Sequence, residues 1–236
     1  MSPTAPDVPV ETLRKRKLQA TQSLLGDTIG ISDDEWQAAT ALPGWSRAHI
    51  ATHLAREADA LRRVTEAALE GRQIPLYSSP QQRFVDIEEG AMRRGLDLQI
   101  DLDTSADTLN TCWDAVTDWK LPIDIGRGPM TLANLPIIRF REVTIHHIDL
   151  GVGFTVDDLE PVPALWLLDF RISQFAGQGI PAFRIQSESG VEAVLGEGAP
   201  TRTVTGTDAR LWGWLNGRVG PESVTGAEGL RLPLAR

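Results

Sequence analysis

The chain has a single cysteine, Cys112, among its 236 residues. No intrachain disulfide can form, which fits a reducing compartment. Long apolar runs are also missing. No stretch of about 18 consecutive apolar residues occurs, so no membrane-spanning helix is expected. Positive charge is scarce: 23 Lys and Arg face 32 Asp and Glu, for a formal net charge of -9. Phosphate backbones need clustered cations, so nucleic acid is not an expected partner. The main basic run, Arg14-Lys15-Arg16-Lys17, falls in a helix-like segment and reads as a solvated face. Residues 1–10 are Pro-rich and lack a basic stretch followed by an apolar one. They read as a disordered tail rather than a signal peptide, and the cytoplasm is the expected location. There is no internal repeat and no low-complexity tract.

What remains is an ordinary globular composition, 42% hydrophobic and 23% charged, which excludes overall disorder. The length suits one large domain or two small ones. Leu13–Ile29 reads as a first amphipathic helix. A second starts after Gly44 with Ser46 as N-cap and runs to about Gly71. Its apolar residues Ile50, Leu54, Ala58, Leu61, Val64 and Ala68 recur every three or four positions, the helical period. Gln73–Pro80 reads as a loop. Helices follow from about Gln81, over Ala106–Trp119, and over Met130–Leu150, where Pro136 implies a late start or a kink. After Gly151 the texture changes. Phe154–Asp157, Phe183–Gln186, Ala193–Leu195 and Thr201–Val204 read as short strands, and Val162–Phe175 and Thr207–Gly217 as helices.

Three polar residues sit where apolar ones are expected. His53 lies three residues after Ile50, beside the apolar stripe. Glu142 lies four after Ile138 and three before Ile145, with His146 one turn further on the same face. A carboxylate on an apolar stripe is costly unless it is paired or binds a metal. A Glu and a His at i, i+4 can aim at one atom, and a His from a facing helix would complete a three-ligand site. The same spacing also suits a helix-surface ion pair, and spacing alone does not choose. His49 and His147 are alternatives about 100° off those faces. Asp149 reads either as an acceptor for a ligand imidazole or as a polar residue near the helix end. Cys112 has Leu109, Trp113 and Val116 at helix-core spacing and reads as a buried packing thiol. Trp45 is expected to pack where the second helix begins.

Two segments carry a resemblance. Leu42-Pro43-Gly44-Trp45-Ser46, continuing through His49 to Arg56, and Arg141 to Gly151 resemble motifs of the mycothiol-dependent maleylpyruvate isomerase family. The likeness extends through Tyr77-Ser78-Ser79-Pro80 with Arg83, and through Trp214 to Arg218. It implies an α+β fold: a DinB-like four-helix bundle over 11–153, then a small α/β domain over 154–236. It implies that His53, Glu142 and His146 bind a divalent metal, zinc being the expected one. It matches Arg218 to an arginine needed for activity, whose fork suits a substrate carboxylate. Arg83 and Tyr77 are expected at the entrance, Arg83 holding an anionic group of substrate or cosubstrate. The implied partners are mycothiol and a small anionic substrate, the implied state a monomer, and the implied reaction cis–trans isomerisation of maleylpyruvate or a similar unsaturated dicarbonyl acid. Thiol S-transfer to an electrophile and a non-catalytic metal-binding module are the alternatives. Two positions depart from the family pattern. Glu57 replaces a residue that is often Asn, and is expected to reach the site or to pair with Arg56 or Arg141. His147 adds an imidazole beside a ligand.

Overall fold

The computed structural model describes residues 7–126, 128–175 and 179–232. The chain divides into two compact units, one spanning Val8–Gly153 and the other containing Phe154 onward. Together they form an α+β protein, helical first and α/β afterwards. The expected tail over 1–10 lies mostly outside the described residues.

The first unit is built on helices α1 (Val10–Thr28), α2 (Asp33–Gln37), α3 (Arg47–Leu69), α4 (Pro80–Ala91), α5 (Gly95–Asp114) and α6 (Leu135–Leu150). Local chemistry sets several of their ends. Ser46 caps α3, its Oγ accepting from the His49 backbone N–H while His49 Nδ1 accepts from Ser46 N at 3.1 Å. Ser79 caps α4, with Pro80 at its first turn, where a missing N–H costs nothing. Gly151, at φ 63°, ends α6 in a left-handed conformation. Pro136 lies in the first turn of α6, so the helix starts late and is not kinked. The segment before it, read from sequence as helix from Met130, is instead a hairpin of β1 (Pro122–Asp124) and β2 (Pro129–Thr131) followed by a 3-10 turn. The helix expected over Ala106–Trp119 begins earlier and ends sooner, as α5.

Helix α3 packs on α4, α5 and α6, and α1 packs on α6. Alanines at 48, 51, 55, 58, 60, 67 and 68 of α3 are all buried, which lets neighbouring backbones come close. Helix α6 is buried nearly all round, polar residues included. Arg139, 1% exposed, forms an ion pair with Glu57 and donates to the Leu54 carbonyl at 2.7 Å. Glu57 therefore pairs with neither Arg56 nor Arg141, contrary to both expected partners; Arg56 turns instead to Asp101 and Asp59. The basic run is also not wholly a solvated face. Lys17 is 1% exposed, because it falls on the buried stripe Leu13, Lys17, Thr21, Leu24, Thr28. Its ammonium bonds to Asn110 Oδ1 and lies 4.9 Å from the Trp113 ring centre. Burial, then the charges of Arg139 and Arg14, pull its pKa down to about 7.

The second unit has α7 (Pro161–Ser173), a three-stranded sheet and α8 (Asp208–Leu215). The strands β3 (Phe183–Ser187), β4 (Glu192–Leu195) and β5 (Thr203–Gly206) lie in the order β4-β3-β5. β3 is antiparallel to β4 and parallel to β5, with Ile185 opposite Ala193 and Val204. Phe154–Asp157 is not a strand. Thr155 and Asp158 form a capping box around a 3-10 turn over Val156–Asp158, a local hydrogen-bond pattern that competes with extended pairing. Among the described residues no helix is long and apolar enough to cross a membrane.

Removing one partner of a buried ion pair strands the other, at a cost of about 3–5 kcal/mol, whereas replacing both with apolar residues is often neutral. Arg139→Met is therefore expected to lose that much in chemical denaturation. Glu57→Leu combined with Arg139→Met should recover most of it; equal loss in single and double variants refutes this account.

Candidate functional site

Glu142 and His146 stand one turn apart on α6, and His53 faces them from α3. Glu142 Oε2 lies 3.3 Å from His53 Nε2 and 3.5 Å from His146 Nε2. One donor atom from each of the three falls within 4.8 Å of the others. The two imidazoles meet edge to face with centres 4.7 Å apart. The set is chemically suited to a divalent ion: two imidazole nitrogens and one carboxylate oxygen, largely withdrawn from water.

The surroundings prepare two of the three. Burial alone would raise the Glu142 pKa, but Arg141 beside it, 2.5 Å away, and hydrogen bonds from His146 and His53 hold it well below the usual carboxylate range. His146 Nδ1 lies 2.9 Å from Asp149 Oδ2. A proton held on Nδ1 by Asp149 makes Nε2, which faces Glu142, the nitrogen left to ligate an ion once its own proton has gone. Burial opposes charge on His146, yet Asp149 and Glu142 outweigh it and raise its pKa. His53 is different. Burial is the largest influence and takes its pKa down to about 4, so it is neutral. Its Nδ1 lies 3.3 Å from Arg83 Nη2, and a guanidinium can only donate. An imidazole accepting at Nδ1 carries its proton on Nε2 and gives it to Glu142. Ligation through Nε2 requires the other tautomer, and hence withdrawal of Arg83.

The remaining candidates are placed as follows. Tyr77 stacks under Arg83, the guanidinium carbon 5.4 Å from the ring centre. Burial, with Glu57's charge, pushes its hydroxyl up to about 12. His49 is engaged in the α3 cap and approaches Glu88 at 3.5 Å. His147 points to α1, 2.9 Å from Asp27. Cys112 is half-buried rather than fully packed, with Sγ 4.0 Å from the Arg62 carbonyl. Arg218 belongs to the second unit. Its backbone N–H donates to the Gly213 carbonyl at 2.9 Å, and Gly217, at φ 70°, donates to Trp214. These bonds form a Schellman cap on α8, and the Arg218 Nη1 donates to the Asn216 carbonyl at 2.7 Å.

Trp45 was expected only as packing. It stacks on His146 with ring centres 6.2 Å apart and tilts against His53 at 5.5 Å, forming an apolar wall beside the cluster. Its place one residue before the α3 N-cap was the available signal. Arg141 as the counter-charge of Glu142 was not expected; it was named only as one of two alternative partners of Glu57.

Metal affinity should report this electrostatics. A metal must displace the proton of His146, whose pKa is raised, but none from His53 or Glu142, whose pKa values are lowered. Zinc affinity measured by competition is therefore expected to rise about tenfold per pH unit below the His146 pKa and then level, with one proton released. A pH-independent affinity between pH 5 and 7 contradicts this. Because Arg83 must leave Nδ1, Arg83→Met is expected to bind zinc at least as tightly as the parent; tenfold weaker binding would make Arg83 a support of the site instead.

Comparison with known proteins places this geometry. No curated protein matches the chain. A crystal structure of the mycothiol-dependent maleylpyruvate isomerase is similar at 25% identity and a TM-score of 0.87, covering 98% of this chain and 97% of that one. A mutant of that enzyme matches over the same shares at 24% identity and a TM-score of 0.87, a likeness of fold. Residues 18–151 match the family described as the mycothiol maleylpyruvate isomerase N-terminal domain. That match spans more than half of the chain and contains the whole His53–Glu142–His146 cluster; the chain belongs to the mycothiol maleylpyruvate isomerase family.

Proposed function

We propose that the chain catalyses mycothiol-dependent cis–trans isomerisation of maleylpyruvate or a similar unsaturated dicarbonyl acid, with a divalent metal, zinc by its donor set, held by His53, Glu142 and His146. The observation that carries this reading is the buried convergence of two Nε2 atoms and one carboxylate oxygen within 4.8 Å, in a chain of this family. A zinc ion bound there supplies Lewis acidity, favouring a thiolate or polarising a carbonyl.

The chain's own residues prepare that chemistry. Glu142 is ionised before any ligand arrives. Asp149 fixes the His146 ring. Trp45 shields one side of both imidazoles, and a drier site strengthens every charge interaction in it. The thiol has to come from outside. Burial and the nearby Glu66 raise the pKa of Cys112, and Cys112 is no part of the cluster. In the reaction, a sulfur–carbon bond forms as the π pair of the double bond moves onto the adjacent carbonyl. Rotation follows about the new single bond. The pair then returns and the thiolate leaves, so no thiol is consumed. Thiolate suits both steps, being a strong nucleophile and a competent leaving group. In this proposal Arg218 binds a substrate carboxylate or offsets the developing enolate charge.

The test is turnover of maleylpyruvate by purified, zinc-loaded protein, with and without mycothiol. Fumarylpyruvate is expected only with the thiol, without net thiol loss, and Cys112→Ser should match the parent. Arg218→Ala is expected to lose at least about tenfold in kcat/KM, with only partial rescue by Lys, a point charge instead of a fork. Thiol consumed in proportion to product would establish S-transfer instead. Full turnover without thiol would refute the mechanism.

A further inference from the structure

The two oxygens of Glu142 are engaged differently. Oε2 is the cluster atom, 3.3 Å from His53 Nε2 and 3.5 Å from His146 Nε2. Both separations are close to the ~3.3 Å edge of a ligand tetrahedron around zinc with bonds of ~2.0–2.1 Å. Oε1 is instead paired with Arg141 Nη1. One carboxylate thus turns one oxygen to the imidazoles and the other to a guanidinium.

Helix geometry alone does not produce the Arg141 contact. Successive residues on a helix project about 100° apart and do not face each other. The Arg141 side chain has to turn along the surface of α6 to reach Oε1. It does so largely out of water, since both side chains are mostly buried. Glu142 is its one ion-pair partner among the described residues, and Arg141 Nε is buried without a hydrogen-bond partner. Its hydrogen bonding is thus concentrated on a single oxygen of a single carboxylate. An ion reaching for both oxygens of Glu142 would have to approach that guanidinium, charge against charge, and break a charge-assisted hydrogen bond.

We propose that Arg141 is a positioning residue that confines Glu142 to ligation through one oxygen, and so keeps a coordination position of the ion open for a reactant. The inference rests on the metal binding proposed above. Zinc with three protein donors takes one further ligand as a tetrahedral ion and two when it expands to five. A second Glu142 oxygen would take one of these positions. With Oε1 held by Arg141, a thiol sulfur and a substrate carbonyl can both be ligands. With Oε1 released, they compete for one place.

The experiment uses the full-length protein loaded with zinc, and with cobalt(II) as its spectroscopic substitute. A crystal structure of the zinc form is expected to show Glu142 Oε2 at ~2.0–2.2 Å from the ion, an ordinary zinc–oxygen bond, with Oε1 still on Arg141. In Arg141→Met both oxygens should bind. The visible absorption of the cobalt form falls as the ion gains a donor, and is expected to drop at least about twofold in Arg141→Met. Arg141→Lys keeps the charge without the fork, disturbs the fold least, and should give an absorption between the two. Mercaptoethanol, as the probe thiol, should bind cobalt-loaded Arg141→Met at least about tenfold more weakly than the parent, because Oε1 contends for its position. Two-oxygen ligation in the parent crystal overturns the proposal whatever the variants do. Cobalt spectra of both variants identical to the parent's also overturn it. One-oxygen ligation that is lost in Arg141→Met, in a protein without isomerase activity, upholds the role of Arg141 and removes the reaction. Thiol-dependent turnover by a parent with both oxygens on zinc does the reverse.

Discussion

Helix α6 is enclosed on nearly every side, and it carries Arg139, Arg141, Glu142, His146, His147 and Asp149 into that enclosure. Charges and imidazoles out of water are tolerated only when each has a partner. That constraint organises the first unit. Arg139 is answered by Glu57 of α3, Arg141 by Glu142, His146 by Asp149, and His147 by Asp27 of α1. The pairs formed with α1 and α3 fix how those helices lie against α6. The pairing is incomplete among the charged groups: Glu57 Oε1, Arg139 Nε and Arg141 Nε are buried without a hydrogen-bond partner, whereas His53 donates from Nε2 to Glu142 and accepts at Nδ1 from Arg83.

Much of this was legible in the chain. A carboxylate on an apolar stripe with a histidine one turn later pointed to a shared site, because helical geometry alone puts i and i+4 side chains on one face. Ser46 marked the start of α3 through its capping chemistry. What was not legible depended on contacts between distant elements. Glu57 and Arg139 lie 82 residues apart, and nothing in the spacing on either helix names the other. Lys17 was read with its charged neighbours, although its four-residue spacing from Leu13 and Thr21 places it on the buried stripe. The hairpin before α6 was lost because its strands have only three residues each, too short for an alternating pattern. At Phe154–Asp157 an apolar start suggested a strand, and the Thr155–Asp158 capping box decided otherwise.

The two units use their polar residues differently. In the first, charges lie inside and carry the candidate chemistry. In the second, the core is mostly apolar, with Phe170, Phe183, Ile185, Val204, Leu211 and Trp212 fully buried, and its one candidate residue, Arg218, is presented by a helix cap. Gly217 supplies the left-handed turn that sets where the Arg218 side chain leaves the backbone. A side chain anchored this way is positioned by backbone geometry more than by packing.

The state of Cys112 has a consequence for the proposed reaction, because an unsaturated acid would alkylate thiolates. Its thiol is half-buried and disfavoured from ionising by burial and by Glu66. At neutral pH little of it exists in the reactive form. Under the proposed function the chain would therefore meet its substrate with little thiolate of its own, and the same property would disfavour mixed disulfides with an external thiol.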